Sequence, residues 1–365
     1  MATEAGKEQV EYQFLGKSGL KVSNICLGTM TFGKSEGMFG FFKNPTQSEE
    51  ALSHRILDRF TELGGNFIDT ANIYSLGNSE KIIGNWLTRQ KREKVVVATK
   101  CRFQMDQTDP NSGGLSRRHI IESIEQSLER LKTNFIDLYQ MHMWDAATPI
   151  EETLRTFDDL VRSGKVRYIG CSNLVGWQLQ KVMDYSKFMG LTSMISLQQQ
   201  YNLMRRHSEL EEFRVCRNEG VGVIPWSPLK GGLLTGKFKK GETPDPEKTR
   251  IGYMRKLNPT GSSWSKDAQD EGYWNLITRM EKIAKKNGKT VAQIALRWLL
   301  QKDIVVSVIV GATSVKQLED NIGAGKGWSL SDEDIKELDD ASSSELFYPY
   351  DMNYGPANTS RVKPI

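Results

Sequence analysis

VVVATK at residues 95–100, SRRHIIESIEQSLERLK at 116–132 and IDLYQMH at 136–142 form a short apolar run, a longer segment and a second short apolar run. In the longer segment the apolar residues from Ile120 to Leu131 recur with helical spacing. The two short runs have the length and the β-branched content of buried strands. Two buried strands joined through a helix pair in parallel, so this part of the chain predicts a β–α–β unit.

The same alternation continues over most of the chain. Strands are predicted at 66–71, 95–100, 136–142, 166–172, 194–199, 222–227 and 305–311, after a first strand that ends at Gly28-Thr29. Helices are predicted at 49–63, 79–90, 116–132, 150–163, 176–188, 207–219, 273–288 and 315–325. Eight strand–helix units close naturally into a ring, so the predicted fold class is α/β, a (β/α)8 TIM barrel. A doubly wound open sheet is the alternative, but it requires a GxGxxG phosphate fingerprint, which GTMTFG at 28–33 is not.

We expect one barrel domain over residues 1–365. A polar leader (1–11) precedes a small hairpin that turns at 16–19, and a C-terminal tail (343–365) follows the barrel. A long loop at 228–271 follows the seventh strand. In barrels of this kind the loops after the strands carry binding and chemistry, so we expect this loop to be functional.

Composition limits the classes of function. The 365 residues are 38% hydrophobic and 26% charged, with a formal net charge of +4 and no Lys/Arg run that would predict nucleic-acid binding. The four cysteines are widely spaced without a CxxC pair, so we expect reduced thiols and no metal site. Neither a signal core nor eighteen consecutive apolar residues is present. These features predict a cytoplasmic protein without membrane insertion, acting on a small molecule, and they are compatible with a homo-oligomer.

Four residues near the predicted strand ends suggest chemistry. Asp69, Lys100 and His142 stand at the ends of three strands, and Tyr74 follows Asp69 by five positions. Carbonyl reduction by hydride needs a proton donor for the oxygen, and a tyrosine whose pKa is lowered by a nearby ammonium could serve. Asp69 would hold Lys100 in place and keep it charged, while His142 would orient the carbonyl or relay a proton in acid.

Each residue also has an ordinary interpretation. Asp69 could be a turn residue, Tyr74 a packing residue and His142 a buried core histidine. Lys100 is harder to dismiss, because a lysine in a barrel interior needs a partner. The convergence of all four on one face of the barrel favours the catalytic interpretation.

The sequence resembles the aldo-keto reductases over roughly residues 12–342, in consistent order. The resemblance is carried by FIDTANIYSLGNSEKIIG (67–84), VVVATK (95–100), DLYQMHMWD (137–145), IGCSN (169–173), LQQQYN (197–202), VIPWSPL (223–229) and VIVGATSVKQLEDN (308–321). It is strongest to the branch that contains the potassium-channel β subunits and their bacterial relatives. It implies a (β/α)8 barrel that binds NADPH across the C-terminal face, under the 228–271 loop, and delivers hydride to an aldehyde or ketone.

The resemblance also implies roles for individual residues. Asp69, Tyr74, Lys100 and His142 match the catalytic tetrad. The remaining cofactor contacts would be Gly28, Thr29 and Met30 near the ribose, Ser172, Asn173 and Gln198 on the carboxamide, Trp226 on the nicotinamide ring, Ser227, Leu229, Gly232, Lys237, Gly311, Thr313 and Gln317 at the phosphates, and Asp320 and Asn321 at the adenine. Asp69 is expected to touch the cofactor as well. Arg250 matches an arginine that binds the 2′-phosphate, which favours NADPH over NADH.

The substrate pocket is expected to be apolar and to suit aromatic or medium-length aliphatic aldehydes. Its predicted walls are Met30, Phe32, Tyr74, His142, Trp144, the Met38–Phe42 cluster and the tail near Tyr348. The Phe-rich cluster could instead pack on the barrel rim or on another subunit. Trp177, Trp264 and Trp328 are expected to be packing residues.

Three functional classes follow from these residues. The first is an NADPH-dependent carbonyl reductase. The second is a redox-sensing regulatory subunit with slow turnover, but the channel subunits have asparagine where this chain has His142, which favours the enzyme. The third, an isomerase or aldolase that uses Lys100 as a Schiff-base nucleophile, leaves the predicted nicotinamide and phosphate groups unexplained.

Overall fold

The computed structural model describes residues 10–33, 47–260 and 262–354. An antiparallel hairpin opens this part of the chain, with β1 (Tyr12–Phe14) paired to β2 (Lys21–Ser23). The backbone N–H of Leu15 donates to the carbonyl of Leu20 at 2.8 Å and closes the predicted turn.

Eight parallel strands form the barrel, in the order β10-β3-β4-β5-β6-β7-β8-β9. They are β3 (Ile25–Gly28), β4 (Phe67–Asp69), β5 (Val96–Cys101), β6 (Ile136–Met141), β7 (Val166–Ser172), β8 (Ser196–Gln200), β9 (Gly222–Trp226) and β10 (Val308–Val310). The ring is bridged between β9 and the residues just before β10, where the N–H of Val306 donates to the carbonyl of Val223 at 2.9 Å. The predicted (β/α)8 barrel is confirmed.

Helices surround the barrel and connect its strands. They are α1 (Glu50–Glu62), α2 (Asn78–Leu87), α3 (Arg117–Leu131), α4 (Ile150–Arg162), α5 (Gly176–Phe188), α6 (Glu212–Glu219), α7 (Arg250–Leu257), α8 (Ser263–Asp267), α9 (Glu271–Asn287), α10 (Val291–Leu300), α11 (Val315–Ile322), α12 (Asp332–Ala341) and α13 (Tyr350–Tyr354). Within the described ranges, no helix combines the length and the apolar character needed to cross a bilayer.

Several helices differ from the sequence expectation. Helix α10 was not predicted, because nearly its whole circumference is buried and its sequence therefore lacks an amphipathic pattern. The 228–271 loop carries two short helices, α7 and α8, which were not predicted. Helix α6 begins at Glu212 instead of residue 207, after a 3₁₀ turn.

The barrel interior changes character from one end to the other. Phe67, Ala98 and Leu138 belong to an apolar cluster inside the ring, which Leu15 of the hairpin joins at the N-terminal end of the strands. Side chains alternate across a strand, so the residues two positions further on also point inward. On β4, β5 and β6 these are Asp69, Lys100 and Gln140. The alternation therefore places polar groups at the C-terminal mouth, above an apolar floor.

Candidate active site

Asp69 is the centre of the polar layer at the barrel mouth. Its Oδ2 accepts a hydrogen bond from Lys100 Nζ at 2.6 Å. Its Oδ1 accepts from Gln140 Nε2 at 3.1 Å and from Gln198 Nε2 at 2.8 Å. The carboxylate is almost completely buried, so these three contacts supply the stabilisation that water would otherwise give.

Lys100 links Asp69 to Tyr74. Its ammonium group is fully buried and donates to Asp69 Oδ2, to the Thr70 carbonyl at 2.8 Å and to the Tyr74 hydroxyl at 3.3 Å. All three ammonium protons therefore have acceptors. The structure brings Asp69, Lys100 and Tyr74 together in the predicted order.

Tyr74 is held by an unusual turn. The next three residues, Ser75, Leu76 and Gly77, have positive φ values of 48°, 52° and 87°. The Ser75 hydroxyl lies 3.0 Å from the carbonyl oxygens of both Phe32 and Gly33, which anchors the turn to the first loop of the barrel. Non-glycine residues in the left-handed region are strained, and such strain is often found at functional sites.

The pKa values correct one expectation. Lys100 and Arg250 lower the pKa of the Tyr74 hydroxyl, but burial outweighs them, and the net pKa is raised above 10.0. Burial thus reverses the net shift, although Lys100 lowers the Tyr74 pKa as expected, and Tyr74 keeps its proton at neutral pH. Although burial lowers the pKa of Lys100, Asp69 and Tyr74 raise it above its ordinary value, so the lysine stays charged. A charged, fully hydrogen-bonded ammonium is not a Schiff-base nucleophile, which argues against the aldolase interpretation.

His142 lies across the mouth from Tyr74. The two ring centroids are 6.0 Å apart, and the Phe103 ring contacts the His142 ring edge-on at 4.7 Å. The pKa of His142 is well below 6.5, because of burial and the charges of Lys100 and Arg102. Its buried Nδ1 has no hydrogen-bond partner among the described residues. A neutral imidazole suits the orienting role better than the acid relay.

The predicted carboxamide-binding residues form one hydrogen-bonded network with the tetrad. Asn173 donates to the His142 carbonyl at 2.9 Å and to Ser172 Oγ at 2.9 Å, and its Oδ1 accepts from Trp226 Nε1 at 3.1 Å. Gln198 reaches Asp69 directly. Ser172 is fully buried and donates to the Gln198 carbonyl at 2.8 Å, so in this structure it orients its neighbours rather than offering a free hydroxyl.

Gln140 is a site residue that the sequence interpretation missed. It is fully buried and binds the same Asp69 oxygen as Gln198. The available signal was a polar residue at an inward position of IDLYQMH, two places before His142. A glutamine alone does not suggest a particular chemistry, so Gln140 can be recognised only once its hydrogen bond to Asp69 is known.

The stretch after β9 contains cations that have no carboxylate partner among the described residues. The Lys237 ammonium packs against Gly232, where an added Cβ would lie 2.9 Å from Nζ, and near the Phe238 ring. Arg250, at the start of α7, is half-buried and has no ion pair in the described part of the chain. Ser227 and Leu229 flank the same turn and are half-buried. Unpaired positive charge beside a glycine-rich turn is suited to a bound anion.

The other predicted phosphate and adenine residues occupy the loop between β10 and α11. Gly311 is exposed with open space around it, and Thr313 donates from both N–H and hydroxyl to Gln317 Oε1, at 2.9 and 2.8 Å. Asp320 accepts from the Thr290 hydroxyl at 3.1 Å. Asn321 is buried and its Nδ2 donates to the Gly311 carbonyl at 3.4 Å. These side chains mainly shape the loop, and the Gly311 face is the open part of it.

The first loop contributes less to the pocket than expected. Gly28 is required by packing, since an added Cβ would lie 2.6 Å from Ile309 Cγ2. Thr29 is fully buried, with its hydroxyl bonded to the Asp69 carbonyl at 3.0 Å. Phe32 is also fully buried in the core between barrel and helices, so its side chain is not exposed to a pocket in this structure. Met30 remains half-exposed.

The outer rim is aromatic. Trp144 is half-buried and contacts Trp177 edge-on at 5.5 Å. Trp177 is 58% exposed, so it packs at the surface rather than in the core, whereas Trp264 is buried as expected. Tyr348 is 75% exposed. The Met38–Phe42 cluster lies outside the described residues.

Comparisons with known proteins show which family the chain belongs to. The sequence model of the Aldo/keto reductase family matches residues 24–343. The "Uncharacterized oxidoreductase YrpG" of Bacillus subtilis is 37% identical, over 91% of this chain and 95% of its own length. The "Norsolorinic acid reductase" of Aspergillus flavus is 34% identical (92% and 81%), and the "Aldo-keto reductase dtxS3" of Metarhizium robertsii is 35% identical (93% and 92%). The chain belongs to the aldo/keto reductase family.

Proposed function

We propose that this protein reduces aldehydes and ketones to alcohols with NADPH, and that Tyr74 is the proton donor. The observation that carries the proposal is the buried chain from Asp69 through Lys100 to the Tyr74 hydroxyl, with contacts of 2.6 and 3.3 Å. Members of this family use nicotinamide cofactors, and the chain therefore acts as an oxidoreductase on a small carbonyl or alcohol.

Tyr74 supplies a proton at the substrate oxygen. Its raised pKa keeps the hydroxyl protonated at neutral pH. When the oxygen takes this proton, the charge left on the phenolate faces the Lys100 ammonium, which stabilises it in a water-poor site. Asp69 fixes Lys100 in position, and Gln140 fixes Asp69.

His142 positions the carbonyl. Its neutral ring lies next to Tyr74, and its buried Nδ1 has no hydrogen-bond partner among the described residues. In the tautomer with its proton on the nitrogen nearer the substrate, it donates a hydrogen bond to the carbonyl oxygen. Two donors, Tyr74 and His142, then face the same oxygen as negative charge develops there.

The residues present fit a nicotinamide dinucleotide. Asn173 and Gln198 would hold the carboxamide, and the half-exposed Trp226 would contact the ring. Lys237, beside Gly232, would meet the pyrophosphate. When bound, the cofactor supplies the hydride that the carbonyl carbon receives.

The preference for NADPH rests on Arg250. Its charge acts on the Tyr74 hydroxyl, which places it toward the catalytic end of the groove. The 2′-phosphate belongs to the adenosine end, so this role requires the Arg250 side chain to turn away from Tyr74. The half-buried side chain makes no ion pair within the described residues, which leaves it free to do so.

A panel of aldehydes mixed with NADPH, followed by loss of cofactor absorbance, tests the proposal. We expect multiple turnovers with aromatic and medium-length aliphatic aldehydes. A regulatory subunit, such as the potassium-channel β-subunit branch contains, would bind NADPH and complete no more than very slow turnover. Cofactor binding without product would contradict the enzymatic proposal.

A further inference from the structure

Arg102 occupies a constrained position beside the catalytic lysine. It follows Lys100 by two residues, where β5 leaves the barrel. Its φ is +152°, in the region that side-chain-bearing residues avoid, and its carbonyl accepts a hydrogen bond from the Gly114 N–H at 2.8 Å. Gly114 in turn lies against Asp145 of the loop after β6. Two loops thus hold the Arg102 backbone in a strained conformation. Such strain is found where a functional side chain must keep a fixed orientation.

The guanidinium is close to the catalytic histidine. It lies 5.6 Å from the centroid of the Phe103 ring, and the other neighbour of that ring is His142, at 4.7 Å. Its charge also contributes to the lowered pKa of His142. Arg102 is therefore separated from the reacting groups by one aromatic ring.

The guanidinium of Arg102 has no hydrogen-bonded counter-ion among the described residues, and the Asp145 carboxylate acts on it only through its charge. The residue is half-buried, its Nε is buried, and neither a hydrogen bond nor an ion pair reaches its side chain from the described residues. The nearby Asp145 carboxylate is engaged elsewhere, accepting from the Leu115 N–H at 2.8 Å and the Thr148 hydroxyl at 2.7 Å. Burying part of a guanidinium without a hydrogen-bonded partner costs free energy. A carboxylate would be a suitable partner, because its two oxygens match the planar, forked N–H donors of arginine.

The cofactor's phosphates are not suitable partners. The candidate phosphate loops follow β9 and β10, whereas Arg102 follows β5. In the ring of eight strands β5 lies four places from β9 and three from β10, on the far side of the mouth. The anion that meets Arg102 therefore belongs to the substrate side of the site.

We propose that the preferred substrate is an aldehyde or ketone that carries a carboxylate, and that Arg102 binds this carboxylate. The inference rests on the proposed carbonyl reduction. Phe103 packs beside the part of the substrate between the carboxylate and the carbonyl, while Tyr74 and His142 bind the carbonyl oxygen. Arg102 is then a determinant of substrate choice.

The test compares 4-carboxybenzaldehyde with its uncharged methyl ester. In the wild type we expect kcat/KM to favour the acid over the ester. Arg102→Gln removes charge-assisted hydrogen bonds to the carboxylate, so we expect it to reduce this ratio about tenfold or more. The reduction should come from a higher KM for the acid. Arg102→Lys should keep part of the ratio, since it retains the charge but not the planar, forked set of donors.

Arg167→Gln is the matched control. Arg167 lies over the Phe135 ring at 4.4 Å, near the start of β7 and at the other end of the barrel, so this variant should leave the ratio unchanged.

Binding measured by tryptophan fluorescence separates this inference from the proposed function. Failure to turn over either aldehyde would refute carbonyl reduction, while tighter binding of the acid than of the ester, lost in Arg102→Gln, would still support the anion site. Equal binding and equal turnover of acid and ester by the wild type would overturn the inference. A higher KM for NADPH in Arg102→Gln, or loss of the ratio in Arg250→Ala but not in Arg102→Gln, would overturn it as well.

Discussion

The catalytic cluster of Asp69, Lys100 and Tyr74 differs from the stretch after β9 in how its charges are balanced. At Asp69 and Lys100 a buried carboxylate and a buried ammonium satisfy each other and their neighbours. At Lys237 and Arg250 cations have no carboxylate partner in the ranges that the structure describes. The first region is built from strand ends, and its charges are neutralised by each other. The second lies in a loop, and its positive charge is complementary to an anion. Under the proposed function, the proton-delivering residues would be assembled before the ligand arrives and the loop would supply the charge that binds it.

The largest expected effect concerns Tyr74. Tyr74→Phe removes the proton donor and keeps the ring, and general acid catalysis typically contributes about 10²–10⁴-fold, so we expect kcat to fall by about 10³-fold. Steady-state reduction of an aldehyde measures it. Tyr12→Phe is the control, because Tyr12 is an exposed hairpin residue whose hydroxyl donates to the Gly64 carbonyl. Wild-type rates in Tyr74→Phe would remove Tyr74 from the mechanism.

Breaking the paired charge of the catalytic cluster should also cost stability. Lys100→Met leaves Asp69 buried and unpaired, and removing one partner of a buried pair costs about 3–5 kcal/mol. Urea unfolding measures the loss, and we expect the double variant Asp69→Asn with Lys100→Met to recover part of it. Lys165→Met breaks an exposed pair with Glu125 and should change stability by only about 0–1 kcal/mol. Equal losses in Lys100→Met and Lys165→Met would contradict the account of the buried pair.

The loop cations should affect binding rather than folding. Losing one charge-assisted contact to a phosphate costs about tenfold in affinity, so Arg250→Ala should raise the Kd of NADPH by about that factor and leave that of NADH unchanged. Fluorescence titration with both cofactors measures the two constants. Arg255→Ala, on the same helix α7, is the matched control. An equal loss for NADPH and NADH would refute the 2′-phosphate role of Arg250.

The smallest expected effect is that of pH. Tyr74 has a pKa raised above 10.0 and His142 one well below 6.5, so neither titrates in between. Because reduction needs protonated Tyr74 and neutral His142, kcat/KM should be flat from about pH 6.5 to 9 and fall only in stronger alkali, as Tyr74 loses its proton. An alkaline limb near neutral pH would mean that Lys100 lowers the Tyr74 pKa more than burial raises it.

The sequence predicted the barrel because each strand is a short apolar run bounded by turns and helices. Seven of the strands lie within or next to the expected ranges, and the first ends at Gly28 as expected. Helix α10 was missed because apolar residues such as Ile294, Leu296 and Trp298 lie on nearly all of its faces. Its sequence therefore shows no amphipathic pattern. Period alone cannot identify a helix that is buried on nearly all sides.

The convergence of the tetrad was predictable for the same reason, since parallel strand ends meet at one mouth. What the sequence could not give was burial. It suggested a lowered Tyr74 pKa from the ammonium alone, it placed Phe32 in the pocket, and it treated Trp177 as a packing residue. Gln140 and Arg102 became visible only through their contacts, because Gln140 binds Asp69 and the Arg102 side chain has no hydrogen-bonded carboxylate among the described residues.

Transfer of isotope tests the central claim most directly. The protein is mixed with a carboxybenzaldehyde and NADPH that carries deuterium at the nicotinamide C4 position that donates hydride, and the product is analysed by mass spectrometry. The account predicts catalytic amounts of the alcohol with deuterium at the former carbonyl carbon, and far less of it from Tyr74→Phe. Absence of the deuterated alcohol from the wild type, with NADPH bound, would contradict it.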